Sequence, residues 1–261
     1  MAGRSSALRP EDARPRLAAL GFGAADVETL AGHFLWAEER GLEGHGLSRI
    51  EWLETWDTLE TESRPQRVVD EPGYERWDGN GALGYLALAA VVDAQIAAPP
   101  DRARLVVCSR TFPTGALGYW VRKLADAGLV GVLTATSPRR LAPPSGGVPL
   151  TGTNPLAIAI PSSEGDPVVC DVSMGAVTHG DVLAGPARPD ELVPFGGPHG
   201  HKAFALAVGL QLLVDALLPE EGFGAVLLVA RPDADPVPAF RALARSARLP
   251  GDPRTGSPAR S

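Results

Sequence analysis

The chain has 261 residues, 44% hydrophobic and 21% charged, the balance of a globular protein with length for one large domain or two small ones. A net charge of −7 with no basic block excludes a nucleic-acid footprint, and two cysteines in apolar runs, LVVCS and PVVCD, read as buried thiols and exclude a disulfide framework or metal site. No apolar run is expected to reach the length of a membrane span, and MAGRSSALRPEDARPR lacks the apolar centre of a signal peptide, so a cytoplasmic protein with no membrane partner is expected.

Ala24 to Arg40 places Val27, Leu30, Ala31, Phe34 and Leu35 at helical spacing, which predicts an amphipathic helix. His33 on that helix reads as a boundary residue without a role. In GLEGHGLSRI, His45 stands between two glycines. If the residues after Gly46 are helical, Arg49 shares a face with His45, and a titratable imidazole and a fixed guanidinium meet one substrate. The residues alone equally describe a glycine-rich connection between helices. Trp52 and Trp56 at i, i+4 read as core or interface. Ser63 to Asp78 reads as extended, with RVVD a short strand. Gly79, Gly81 and Gly84 spell GxGxxG, but YERWD before them does not read as a buried strand, so no Rossmann unit is assigned. The apolar helix that follows stops at Pro99 and Pro100.

RLVVCS is predicted as a strand, TFPTGALGYW as a loop, VRKLADAGL as a helix ending at glycine, and LVGVLTATS as a strand. PRRLAPPSGGVPLTGTN is a long irregular loop of the kind that carries function. PLAIAIP and PVVCDVS are strands joined by SSEGD, which puts Asp171 beside Ser173 at a strand end. His179 to Pro194 reads as a polar loop. Ligand is expected at PFGGPHGHKAFAL, where glycine pairs and histidines precede Lys202, one of two lysines against twenty-two arginines, and a buried apolar helix follows. A helix start with unpaired N–H groups suits an anion, although a solvated lysine on a glycine-rich loop accounts for the same letters. GAVLLVARP is a final strand, DPVPAFRALARSARL a final helix, and residues 250–261 a disordered tail. Strands and helices alternating irregularly, with hairpin-like strand pairs, give an α/β protein with a mixed sheet.

Taken together and in order, GHGLSRI, PLTGTNPLAIAIP, PVVCDVS and PFGGPHGHKAFAL resemble the malate/L-lactate dehydrogenase family of the second type. That family includes sulfolactate and ureidoglycolate dehydrogenases and reductases of cyclic piperideine and pyrroline carboxylates. The resemblance runs from about Leu17 to Gly251. It implies a non-Rossmann α/β/α fold with a largely antiparallel sheet, a homodimer with the active site near the subunit boundary, and NAD or NADP as hydride carrier. Residues 1–249 are read as one catalytic unit, with a helical part over 1–65, a cofactor-side part over 66–204 and a returning helix-strand-helix over 205–249. Residue by residue, the resemblance places His45 and Arg49 at the substrate and Ser137, Asp171, Val172, Ser173, Gly200, His201 and Lys202 at the cofactor.

The chain departs from the family in several places. Gly44 stands where serine is usual, Leu42 where a histidine is, and Ala203 where glycine is. The connection from PVVCDVS to PFGG is markedly short. Pro113 occupies the position of the family's proton-donating histidine, and losing a general acid costs about 10²–10⁴-fold in rate. The implied activity is reduction of a C=N or C=O bond beside a carboxylate, with a cyclic imine favoured because a protonated imine brings its own proton. The alternative is a descendant that has lost hydride transfer and serves as a binding protein, partner subunit or non-redox catalyst.

Overall fold

In a computed structural model, residues 8–219, 221–245 and 247–252 are described, so most of the expected tail lies outside the described residues. The N-terminal helices are α1 (Ala13–Ala19), α2 (Ala24–Glu39) and the short α3 (Ser48–Leu53), with a turn at 43–45 between the last two. Then come β1 (Gln66–Glu71), β2 (Tyr74–Asp78), α4 (Gly84–Ala97), β3 (Ala103–Ser109), α5 (Leu117–Asp126), β4 (Val130–Ala135), β5 (Leu156–Ile160) and β6 (Val168–Val172). The chain finishes with α6 (His179–Ala184), α7 (Gly200–Leu217), β7 (Gly224–Ala230) and α8 (Val237–Ala244).

The strands form one seven-stranded sheet in the order β1-β2-β3-β7-β4-β5-β6, and every neighbouring pair is antiparallel except β2 with β3. Side chains alternate across it. Val106, Cys108 and Leu227 point into the main core with Leu17, Phe34, Leu88 and Trp120, whereas Val107 and Val226 meet Val214 of α7 on the other face. The result is an α/β/α arrangement with a largely antiparallel sheet. It needs no Rossmann unit.

Three local expectations are corrected. YERWD is a strand, β2, with Glu75 and Trp77 buried, so the reason given against the GxGxxG motif fails. The glycines serve the loop after β3 instead: a Cβ on Gly79 would collide with the Arg110 carbonyl, and one on Gly84 would stand 2.6 Å from the Pro113 oxygen and 2.7 Å from the Phe112 nitrogen. The supposed loop from His179 to Pro194 begins with helix α6, and α5 starts earlier than expected, at Leu117.

Helix α7 is also not buried. Only Gly200, Ala203, Ala207 and Val214 are enclosed, while Leu206, Leu212 and Leu213 face outward. With the preceding turn it makes a 21-residue stretch that contains an 18-residue window of mean hydropathy 1.2, long and apolar enough by length and composition to cross a membrane, against the expectation that no run would be. In this fold it lies on β4 and β7.

Candidate active site

A cavity of about 400 Å³ opens where the 43–45 turn and α3, the loop before α5, the ends of β4 and β6, and the start of α6 converge. It is lined by His45, Arg49, Ser137, Asp171 and Ser173, five of the residues singled out in the sequence. Helix α3 begins only at Ser48, so Arg49 stands on it while His45 ends the separate 43–45 turn; the two line the same cavity without sharing one helix face. Val172 is on the sheet edge and exposed, pointing away from its neighbour Asp171. Gly200, His201 and Lys202 form the first turn of α7 and do not line the cavity; His201 and Lys202 are exposed.

Arg49 is the strongest feature. Its residue is 6% exposed, its guanidinium sits 4.8 Å from the Trp52 ring, and neither Nε nor Nη2 has a partner. Burial lowers the pKa of Arg49, yet a guanidinium stays charged in a protein. A buried charge with no hydrogen-bonded carboxylate, balanced only through space by Asp181, is costly and marks a place that suits an anion. His45 beside it is pushed down to about 4, first by burial and then by the Arg49 charge, with Asp181 opposing. It is therefore neutral near pH 7 and offers one donor and one acceptor.

Asp171 lies across the cavity and accepts a hydrogen bond from the Gly118 nitrogen at 2.7 Å, in the first turn of α5. Desolvation of the carboxyl at the cavity lifts it to about 6 despite that bond, although Asp171 as a residue is exposed. The loop before α5 is fastened from behind by His33, which is fully buried rather than at a boundary. Its Nε2 accepts from the Ala116 nitrogen at 3.0 Å, and the rings of Tyr85, Tyr119, Trp120 and Phe34 surround it. Trp120 adds a bond from Nε1 to the Thr114 oxygen at 2.8 Å. Pro113, Thr114, Gly115, Ala116 and Leu117 are thereby held as cavity wall.

Burial also pushes His33 down to about 3, against about 6.5 in an unfolded chain. The unfolded chain binds a proton below that higher value and the folded one does not, so stability falls as pH drops from about 6.5 towards 3, by about 1.4 kcal/mol per pH unit for this one proton. Asp171, raised above its unfolded value, works in the opposite sense. The difference in melting temperature between His33→Gln and the native protein should therefore narrow as pH falls from 7 to 4.5. A constant difference would show that His33 carries no such linkage.

Among the cavity residues that escaped the sequence reading are Arg140 in the loop after β4, and His179 and Asp181 on α6. A readable signal for the last two exists, since Thr178 and Asp181 form a capping box in which the Thr178 hydroxyl accepts from the Asp181 nitrogen at 3.1 Å and the Asp181 carboxylate accepts from the Thr178 nitrogen at 2.8 Å. T-x-x-D in THGD marks a helix start.

The residues present also suit a dinucleotide. Ser137 and Ser173 offer hydroxyls at the cavity, and the segment just past Ser173 carries the 194–200 turn, through the Phe195 nitrogen on the Met174 oxygen at 3.1 Å and a bridge between Gly175 and Pro194. That turn leads to the open first turn of α7, which no side chain caps and beside which Lys202 is exposed, a donor set for phosphate.

Residues 13–188 match the malate/L-lactate dehydrogenase family profile. The Delta(1)-pyrroline-2-carboxylate/Delta(1)-piperideine-2-carboxylate reductase of Pseudomonas putida is 30% identical over 226 residues, which cover 76% of this chain and 65% of that protein. The (2R)-3-sulfolactate dehydrogenase (NADP(+)) of Chromohalobacter salexigens is 32% identical over 183 residues, 69% of this chain and 55% of that one. The chain thus spans less than two thirds of the length of these relatives. Among solved structures, malate dehydrogenase from Entamoeba histolytica superposes with a TM-score of 0.79 at 19% identity, covering 93% of this chain and 85% of that one. Delta1-piperideine-2-carboxylate reductase from Pseudomonas syringae pvar. tomato gives 0.77 at 23% identity, over 94% and 90%. The fold is therefore shared with these structures, and, with a profile match over more than half its length, the chain belongs to the malate/L-lactate dehydrogenase family.

Proposed function

We propose that the protein is an NAD(P)H-dependent reductase of a C=N or C=O bond next to a carboxylate, with a cyclic imine carboxylate as the preferred class. The observation that carries this reading is the buried, partnerless guanidinium of Arg49 in the cavity wall. Arg49 holds the substrate carboxylate through its planar donors, and the desolvated setting strengthens that bond. His45, neutral beside it, orients the atom at the reacting centre. The cofactor supplies hydride when bound, with Ser137, Asp171 and Ser173 at the cavity, Val172 on the exposed sheet edge beside them, and Gly200, His201 and Lys202 at its phosphates. Pro113 lines the cavity at the position from which a proton would come, and this favours a protonated imine over a carbonyl. Relatives named for pyrroline and piperideine carboxylates support the same class. A homodimer is part of the proposal, supported by the apolar side chains of Leu206, Leu212 and Leu213 left open on α7.

Fluorescence titration with NADH and NADPH tests the reading. Saturable binding is expected, weakened about 10–100-fold in Lys202→Ala, the worth of a charge-assisted hydrogen bond to phosphate. No binding of either cofactor at millimolar concentration would leave the second reading, a binding protein without hydride transfer, which Pro113 also favours.

A further inference from the structure

We propose that His179 is the proton donor of this site, standing in for the histidine absent at position 113, so that the protein reduces 2-oxoacids as well as imines. The inference rests on the reductase reading above. Among the described residues, His45 and His179 are the two imidazoles that line the cavity. The other groups there are poorly placed to give up a proton. Tyr85 is pushed up to about 12 by burial. Asp171 is engaged by Gly118, and Asp181 accepts from both the nitrogen and the hydroxyl of Thr178 at 2.8 Å. His45, no more enclosed as a residue than His179, is pushed down to about 4 and is neutral near pH 7. His179 is half-buried, so it reaches both the cavity and the water that recharges it.

The position of His179 follows from a close crossing of two glycines. A Cβ on Gly180 would collide with the Gly44 carbonyl and lie 3.1 Å from Arg49 Nη2, and a Cβ on Gly44 would collide with Asp181 Oδ1 and lie 2.7 Å from the Gly180 carbonyl carbon. Any side chain at position 44, such as the serine usual in the family, would push α6 off the 43–45 turn. Glycine there admits α6, and α6 delivers His179 next to the guanidinium that holds the substrate carboxylate. The loss at position 113 and the loss at position 44 are thus linked: one removes an imidazole and the other makes room for a second.

The charged and titratable groups that share the cavity wall with His179 are Arg49 from α3, His45 from the 43–45 turn, Arg140 from the loop after β4, and Asp181 from its own helix. Partial burial, then Arg140 and Arg49, hold its pKa below the ordinary value in the free protein. A substrate carboxylate on Arg49 cancels one of those charges, so His179 takes up a proton as substrate binds. As hydride and its electron pair reach the carbonyl carbon, the C=O π pair moves to oxygen. That oxygen takes the proton from the His179 imidazolium, leaving the alcohol and a neutral imidazole. An iminium substrate needs no such proton, because its nitrogen already carries one.

The test compares the native protein with His179→Gln on a 2-oxoacid and on a cyclic imine carboxylate, and measures proton uptake when oxamate binds, by calorimetry in two buffers of different ionisation enthalpy. The expected result is a fall of about 10²–10⁴-fold in kcat/KM for the 2-oxoacid with less than about tenfold for the imine. Proton uptake with oxamate should be present in the native protein and absent in the variant. Equal losses on both substrates, or unchanged proton uptake in the variant, would overturn the role of His179. So would a native protein that reduces imines but no 2-oxoacid, while the reductase reading stands. A native protein that reduces neither class overturns both.

Discussion

Arg49→Met should abolish recognition of carboxylate ligands while leaving the protein as stable as before or more so. Truncating one partner of a buried charge pair costs about 2–5 kcal/mol, so kcat/KM for a carboxylate substrate should fall by about thirty-fold to several thousand-fold. In the free protein the same guanidinium has Nε and Nη2 buried without partners. Replacing it with an apolar side chain of similar length relieves that cost and keeps the packing on Trp52. Binding and stability should therefore move in opposite directions, which a merely structural arginine would not produce. Arg49→Lys should behave like the methionine variant in binding, since an ammonium cannot reproduce the planar fork. Oxamate calorimetry and thermal melts decide the matter, and unchanged oxamate affinity in either variant would remove Arg49 from the site.

Gly115→Ala should damage the cavity wall severely. Gly115 has φ +70°, and a Cβ there would collide with the His33 imidazole and the Tyr85 ring. Left-handed backbone costs about 1–2 kcal/mol for a residue with a Cβ, and forcing a methyl into a packed aromatic cluster about 1–3 kcal/mol more. The sum, about 2–5 kcal/mol, is a large part of the 5–15 kcal/mol that holds a typical domain folded. Gly146→Ala is the control, because φ is +82° there but nothing lies within 4 Å of the added methyl. It should lose only the backbone share. Equal melting temperatures for the two variants would mean that the His33 cluster yields freely and does not fix the wall.

The sequence displays those parts of the fold whose signal is local. The 24–40 helix, the strands RLVVCS, PLAIAIP and GAVLLVARP, and the pairing of His45 with Arg49 depend on periodicity or short spacing, and each is found. What was hidden depends on partners far away in the chain. YERWD looks too charged for an inner strand, but Glu75 accepts hydrogen bonds from Trp77 Nε1 and Gln95 Nε2, both at 2.8 Å, with Arg104 at 3.2 Å balancing its charge. His33 looks like a boundary residue because its partner, the Ala116 nitrogen, lies 83 positions on. Helix α7 looks buried because its composition is apolar, yet the sheet covers only one side of it. His179 was missed for another reason: its capping box was legible, but α6 reaches the site only through the Gly44 and Gly180 crossing, which no spacing reveals.

Strand β7 has a consequence for how the molecule comes into being. It lies between β3 and β4, and without it the sheet is two separate ribbons, β1-β2-β3 and β4-β5-β6, that share no backbone hydrogen bond. The ribosome makes β7 after all the other strands. During synthesis the inner edges of both ribbons are thus bare, open to pairing with the wrong chain. Joining them requires closures across about a hundred residues or more, of the kind that slow folding. The piece that finishes the sheet is also the one for which a nascent chain must wait.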